Sequence, residues 1–213
     1  MRRLQVALDL LDLDKALKIA LEVADYVDHI EAGTPLIKKY GMKAVETLKE
    51  ETGKTVVADM KIMDTGALEA ELAFQHGADY VTVLAAAHQK TIEDVIDTAN
   101  RYSRGSMVDT IAVEDPNTLF RKLDRLARKP DYLLIHSGID MQNMGITPER
   151  LIKAAGDRVK EYRIGVAGGI KLENIEVILG IEEIELIIVG GGLTKALNPR
   201  ETAKKLREVI KMY

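Results

Sequence analysis

The run "VVADMKIMDTG", residues 56–66, sets three apolar residues directly before Asp59, Lys61 and Asp64. Short and Val-rich, its first half reads as a strand entering a core. Charge taken out of water is costly unless it is paired. A strand that ends in two carboxylates and an ammonium must therefore end where those charges find partners, and the other apolar runs show where that is.

Eight strand-like runs recur along the chain: "LQVALDL" (4–10), "VDHIEA" (27–32), "TVVADM" (55–60), "DYVTVLA" (79–85), "SMVDTIA" (106–112), "DYLLIHS" (131–137), "YRIGVAG" (162–168) and "IELIIVG" (184–190). Amphipathic segments such as "DKALKIALEVADY", "IKKYGMKAVETLKEE" and "TIEDVIDTANRY" lie between them, with apolar residues three and four apart. The last segment, "NPRETAKKLREVIKMY", opens with Asn-Pro, a helix start. Eight strand–helix units in 213 residues predict an α/β fold, a single (β/α)8 TIM barrel over residues 1–213. The rival, a doubly wound open sheet, usually needs fewer strands, and the chain lacks an early G-x-G-x-x-G.

Composition narrows the function. Apolar residues make up 46% and charged residues 30%, as in a soluble globular protein. A formal charge of −4 gives no electrostatic footprint for nucleic acid. With no cysteine, disulfides, thiolate metal sites and thiol nucleophiles are excluded. No apolar run reaches the roughly 18 residues of a membrane span, and acidic residues interrupt "MRRLQVALDLLDLDKAL" too soon for a secretory leader. A cytoplasmic protein that binds neither membrane nor nucleic acid is the expectation.

In such barrels the chemistry sits at the C-terminal strand ends. The predicted ends carry Asp9, Glu31, Asp59 with Lys61, Asp109, His136, Gly168-Gly169 and Gly190-Gly191-Gly192, while the fourth ends in an unremarkable "TVLAA". Residues two apart on a strand share a face, so Asp59 and Lys61 should project together, with Asp9 and Glu31 nearby. The plain alternative is an ion-pair lattice closing the barrel end. Glu31 and Asp59 are hard oxygen donors that suit Mg²⁺, and Mn²⁺ accepts the same ligands; Glu31 would equally serve as a partner of Lys61. His136 is a proton-transfer candidate or a satisfied core histidine. His29, His76 and His88 attract no assignment, and Asp109 is open between a binding and a structural role. Glycine clusters after strands 7 and 8 let backbone amides approach an anion, and barrels often hold phosphate there. Together they predict a small phosphorylated substrate, without fixing the reaction.

The run "ADMKIMDTG" matches the D-x-K-x-x-D motif of the orotidine 5′-monophosphate decarboxylase suprafamily. With "LQVALDL", "IEAGTPLI", "GADYVTVLAAA", "HSGIDMQ", "GVAGGIKLEN" and "IIVGGGLT" in order, nearly the whole chain resembles its 3-hexulose-6-phosphate synthase branch. The resemblance implies an aldehyde-lyase that condenses formaldehyde with D-ribulose 5-phosphate, reversibly, to D-arabino-hex-3-ulose 6-phosphate through a Mg²⁺-stabilised enediolate. It implies Mg²⁺ on Glu31 and Asp59, Lys61 stabilising the enediolate, and Asp9 orienting Lys61 and a substrate hydroxyl. His136 would carry the proton, and Gly169, Gly191 and Gly192 would hold the phosphate. It further implies a homodimer with active sites at the interface, Asp64 crossing to serve the neighbouring subunit. The sister 3-keto-L-gulonate-6-phosphate decarboxylase shares the acidic, lysine and histidine positions. Its two arginines, however, correspond here to Ile139 and Gly192. A catalytically silent phosphosugar-binding barrel is the non-enzyme alternative.

Overall fold

In the computed structural model, residues 2–111, 113, 115–138 and 148–213 are described. Eight parallel strands follow one another around a closed barrel: β1 (Arg3–Leu8), β2 (His29–Ala32), β3 (Thr55–Ile62), β4 (Tyr80–Leu84), β5 (Gly105–Asp109), β6 (Tyr132–His136), β7 (Ile164–Ala167) and β8 (Ile184–Val189). Closure is made by β8 against β1, with Arg3 opposite Leu186 and Val6 opposite Val189. Arg2 reinforces that seam, its guanidinium donating to the carbonyls of Ile184 (3.1 Å) and Ile181 (2.9 Å). A closed sheet leaves no unpaired edge. All eight predicted strands are present.

The helices cover the outside: α1 (Leu13–Val23), α2 (Thr34–Tyr40), α3 (Lys43–Thr52), α4 (Gly66–Gln75), α5 (Gln89–Arg101), α6 (Pro116–Leu123), α7 (Pro148–Ala155), α8 (Ile175–Leu179), α9 (Gly191–Thr194) and α10 (Pro199–Lys211). Their starts follow the expected capping chemistry. Asp12 accepts from Lys15 N–H at 2.9 Å, and Asn198 from Glu201 N–H at 3.0 Å. "IKKYGMKAVETLKEE", expected as one amphipathic segment, is instead two helices. Gly41 ends α2 at φ 63°, ψ −154°, a conformation only glycine adopts without strain. The fifth strand also ends earlier than predicted, because Asp109 turns the chain by accepting Ile111 N–H at 2.8 Å.

Two apolar layers result. Outward strand residues such as Val6, Ile30, Val81 and Ile187 pack with helix residues such as Ala20, Leu48 and Leu206 into the main core. The barrel interior holds a smaller cluster of Ala7, Val57, Met107, Tyr132, Leu134, Ala167, Leu186 and Ile188. Three rings meet at its base: His29 is stacked on Tyr80 at 5.4 Å, and Tyr80 is tilted against Tyr132 at 6.1 Å. Arg163 closes this floor, donating to the Tyr132 hydroxyl at 2.6 Å.

The floor leaves no room at the start of β5. A Cβ on Gly105 would fall 2.1 Å from the Tyr80 ring. Gly105→Ala is therefore expected to cost about 1–3 kcal/mol in urea unfolding, as overpacking does. Wild-type stability in that variant would mean the stacked rings move aside freely.

Candidate active site

Asp59 and Lys61 face the barrel mouth in step with the interior Val57, while Ala58, Met60 and Ile62 face the outer core. Between Ala58, opposite Val81, and Ile62, opposite Val83, β3 advances four residues while β4 advances two. This bulge of two residues keeps each side chain on its face and interrupts the ladder at the site. Lys61 takes φ 48° within it, a conformation that costs a non-glycine residue on the order of 1–3 kcal/mol. Its amide, lost to the ladder, donates to Thr82 Oγ1 at 2.9 Å.

Asp59 is 3% exposed and fully engaged. Lys61 Nζ and Thr34 Oγ1 (2.7 Å) both bond Oδ2, and Thr82 Oγ1 donates to Oδ1 at 2.9 Å. Burial alone would raise its pKa. The Lys61 charge and the three hydrogen bonds outweigh burial, so it is held below the usual carboxylate range. Burial likewise opposes the Lys61 ammonium, but Asp59 and Asp109 raise its pKa overall. Asp109 Oδ2 lies 3.8 Å from Lys61 Nζ.

The other two carboxylates shift in the opposite direction. Glu31, buried on β2, accepts from Gln5 Nε2, and nothing hydrogen-bonds its second oxygen, Oε1, among the described residues. Burial, then the charges of Asp59 and Asp9, push its pKa well up. Asp9, just past β1, is raised by loss of water and then by Asp59. Three carboxylates with one ammonium among them leave a surplus of negative charge, which is where a hard cation binds. Among the described residues no three His, Asp or Glu side chains converge into a ready-made cage. An ion here would take Glu31 and Asp59 and complete its shell with water and substrate oxygens, a donor set that fits Mg²⁺ or Mn²⁺.

His136 ends β6 with Nδ1 at 2.9 and 3.1 Å from the two oxygens of Asp109. Burial lowers its pKa, but the Asp109 charge and hydrogen bond more than offset this, and the net shift is upward. Asp109, undecided from sequence, is thus the partner that orients the histidine and faces Lys61.

These groups line a cavity of about 660 Å³. Asp9, Glu31, Asp59, Lys61, Asp109 and His136 line it together with Gly169, Gly191 and Gly192, and with Lys171, Thr194 and Lys195. Gly168 has φ 111°, and a Cβ there would meet the Ser137 carbonyl at 2.1 Å, so the β7 loop can pass only as glycine. A Cβ on Gly192 would fall 2.5 Å from the Ile170 carbonyl, which ties the two glycine loops together.

Some sequence expectations are not met within the chain. Lys61 pairs with Asp59 and Asp109 and not with Asp9. Asp64 is exposed on the β3–α4 loop and does not line the cavity. Ile139, one of the two positions separating the chain from the sister decarboxylase, and the end of "HSGIDMQ" lie outside the described residues. Conversely, three site residues were missed. Thr82 sits in the "TVLAA" strand end read as uninformative, Thr34 lies in the quoted "IEAGTPLI", and His29 is buried under Gln5. The Gly-Gly-Ile-Lys and Gly-Gly-Gly-Leu-Thr runs already contained Lys171 and Thr194.

Comparison with known proteins bears on this geometry. Residues 2–206 match the family model described as orotidine 5′-phosphate decarboxylase / HUMPS family. A 3-hexulose-6-phosphate synthase of Staphylococcus epidermidis is 38% identical over 97% of this chain and 98% of its own. The crystal structure of 3-hexulose-6-phosphate synthase from Salmonella typhimurium superposes with a TM-score of 0.91 at 37% identity, covering 99% of both chains. A 3-keto-L-gulonate-6-phosphate decarboxylase from Vibrio cholerae is more distant, with a TM-score of 0.79 at 31% identity, covering 100% of this chain and 98% of that one.

The His136–Asp109 pair gives a pH test. A histidine whose folded pKa lies above its unfolded value near 6.5 contributes stability fully below that pH. The contribution is lost as pH rises through the folded pKa. Asp109→Asn should bring the His136 pKa down, since burial then acts with little opposition, and should remove this pH-dependent stability. NMR titration of the imidazole reads the first effect and unfolding at pH 5.5 and 8.5 the second; an unmoved titration would show that Asp109 does not control the ring.

Proposed function

The chain belongs to the orotidine 5′-phosphate decarboxylase / HUMPS family, and from that premise we propose that it is an aldehyde-lyase joining formaldehyde to D-ribulose 5-phosphate, reversibly, to give D-arabino-hex-3-ulose 6-phosphate. The observation that carries this is the joining, in one cavity, of a charge-stabilising cluster, an oriented histidine and a glycine-walled anion pocket. The relatives named above as synthases support the choice of reaction. Gly192, where the sister decarboxylase carries arginine, argues in the same direction.

In this reading the phosphate rests against Gly169, Gly191 and Gly192, whose backbones a side chain would keep at a distance. Asp109 holds His136 Nδ1, leaving Nε2 to take the proton from C1 of the pentulose. Negative charge then develops on the C2 oxygen as the C1–C2 double bond forms, and the Lys61 ammonium, kept charged by Asp59 and Asp109, stabilises it. C1 forms a bond to the formaldehyde carbon as the C2 carbonyl is restored, and the formaldehyde oxygen, its C=O π bond broken, takes up the proton held by His136. Asp9, at the mouth, accepts from a substrate hydroxyl. A Mg²⁺ or Mn²⁺ on Glu31 and Asp59 would supply Lewis-acid polarisation of the sugar's oxygens.

Two copies of the chain meet, in this proposal, around the β3–α4 loop. Asp64 is exposed there beside Met63 (54% exposed) and Leu68 (67% exposed), and across the interface it would reach the neighbour's cavity. No helix among the described residues is long and apolar enough to cross a membrane, and a cytoplasmic enzyme acting on small molecules is the proposal.

Purified, EDTA-treated protein should consume formaldehyde only when both ribulose 5-phosphate and Mg²⁺ are present. No consumption with any divalent ion, but carbon dioxide release from 3-keto-L-gulonate 6-phosphate, would replace this reading with the decarboxylase. Stabilisation by ribulose 5-phosphate without turnover of either substrate would leave a binding barrel. Asp59→Asn should lower turnover by more than about a hundredfold, since even losing a residue that only hydrogen-bonds a metal ligand costs about 10–100-fold, while circular dichroism stays unchanged. His136→Ala should lower kcat with little change in the affinity for the sugar phosphate. Leu68→Glu should yield monomers in sedimentation and lose activity; an active monomer would remove Asp64 from the mechanism.

A further inference from the structure

Gln5 lies in the middle of β1, fully buried, directly opposite His29 on β2 and beneath Glu31. Its carboxamide bridges the two: Nε2 donates to Glu31 Oε2, and Oε1 stands 3.3 Å from His29 Nδ1. An ionised carboxylate, the form that binds a cation, offers only acceptors, and an amide oxygen only accepts. The amide must therefore present its nitrogen to Glu31 and its oxygen to an Nδ1–H of the imidazole. This assignment holds whether the ring is neutral or charged. The ring itself is fixed by its stack on Tyr80, which leans on Tyr132.

We propose that Gln5, locked by His29, is a positioning residue that holds one oxygen of Glu31 and so aims the other, Oε1, at the cation. This rests on the reading of Glu31 as a metal ligand. The sequence offered no reason to single out either residue, because both point into the barrel below the strand ends. A bare buried carboxylate could rotate about its last torsion, which is broad and soft. With Oε2 bonded by Gln5, Oε1 is the oxygen left without a hydrogen bond among the described residues, on a side chain that lines the cavity. Partners of this kind, behind a metal ligand, commonly change metal affinity 10–100-fold when removed.

The test is Mn²⁺ binding by electron paramagnetic resonance, with thermal unfolding of the metal-free protein alongside. Gln5→Leu keeps the volume and removes both bonds. Its Mn²⁺ affinity should fall at least about tenfold while its metal-free melting temperature stays close to wild type. Gln5→Glu places a further carboxylate in the cluster, so it is not a rescue. His29→Phe is the second variant, retaining an aromatic ring against Tyr80 and losing the ring nitrogens, Nδ1–H included. It should weaken Mn²⁺ binding less than Gln5→Leu does, and it decides the matter if Gln5→Leu fails to fold. Wild-type Mn²⁺ affinity in a folded Gln5→Leu, or in His29→Phe where that variant decides, would overturn the positioning role. A wild-type protein that binds no Mn²⁺ would overturn the metal reading of Glu31 itself, and the positioning role with it.

Discussion

Asp59 is a charge held in a place where charge is expensive, and its three donors come from three different parts of the barrel. Lys61 comes from the same strand, Thr34 from the start of α2, and Thr82 from β4. Removing one partner from a buried pair leaves the other uncompensated, at a typical cost of about 3–5 kcal/mol. The neighbouring strands are thereby tied at their C-terminal ends by polar contacts, above an interior sealed by apolar side chains. The bulge in β3 and the strained φ of Lys61 belong to the same arrangement. The pleat sets both side chains in the mouth, and at the bulge the Lys61 amide bonds Thr82 Oγ1.

From this pair the charge states of the rest follow. Burial first, and then the charge of a firmly ionised Asp59, raise the pKa values of Glu31 and Asp9. A divalent ion and a developing oxyanion are the two chemical species that such a site accommodates best, one drawn by the carboxylates and the other by the ammonium. On the far side of the cluster the same lysine faces Asp109, which is committed to His136. The cavity thus separates a proton-carrying side from a charge-stabilising side, with the sugar's reacting carbons between them in the proposed reaction.

Much of this was legible in the chain's order. The eight apolar runs and the helices between them are local patterns, and they translate directly into strands and helices. Asp9, Glu31, Asp59, Lys61 and His136 were found because barrel chemistry gathers at strand ends. Thr82 was passed over because a threonine in a Val-rich strand is also an ordinary strand former. His29 and Gln5 were passed over because they face inward one layer below the ends. The break at Gly41 was hidden by amphipathic spacing that runs through it.

The amino-acid order by itself determined the barrel, the family and the short list of strand-end groups, since each depends on residues close together in the chain or on the regular alternation of strands and helices. Only the tertiary structure decided which group pairs with which. His136 meets Asp109 across 27 residues and Gln5 meets Glu31 across 26. Such pairings depend on register between strands, on a two-residue slip in β3 and on which oxygen of a carboxylate is already taken. Those are properties of packed neighbours, and no spacing within a single strand encodes them.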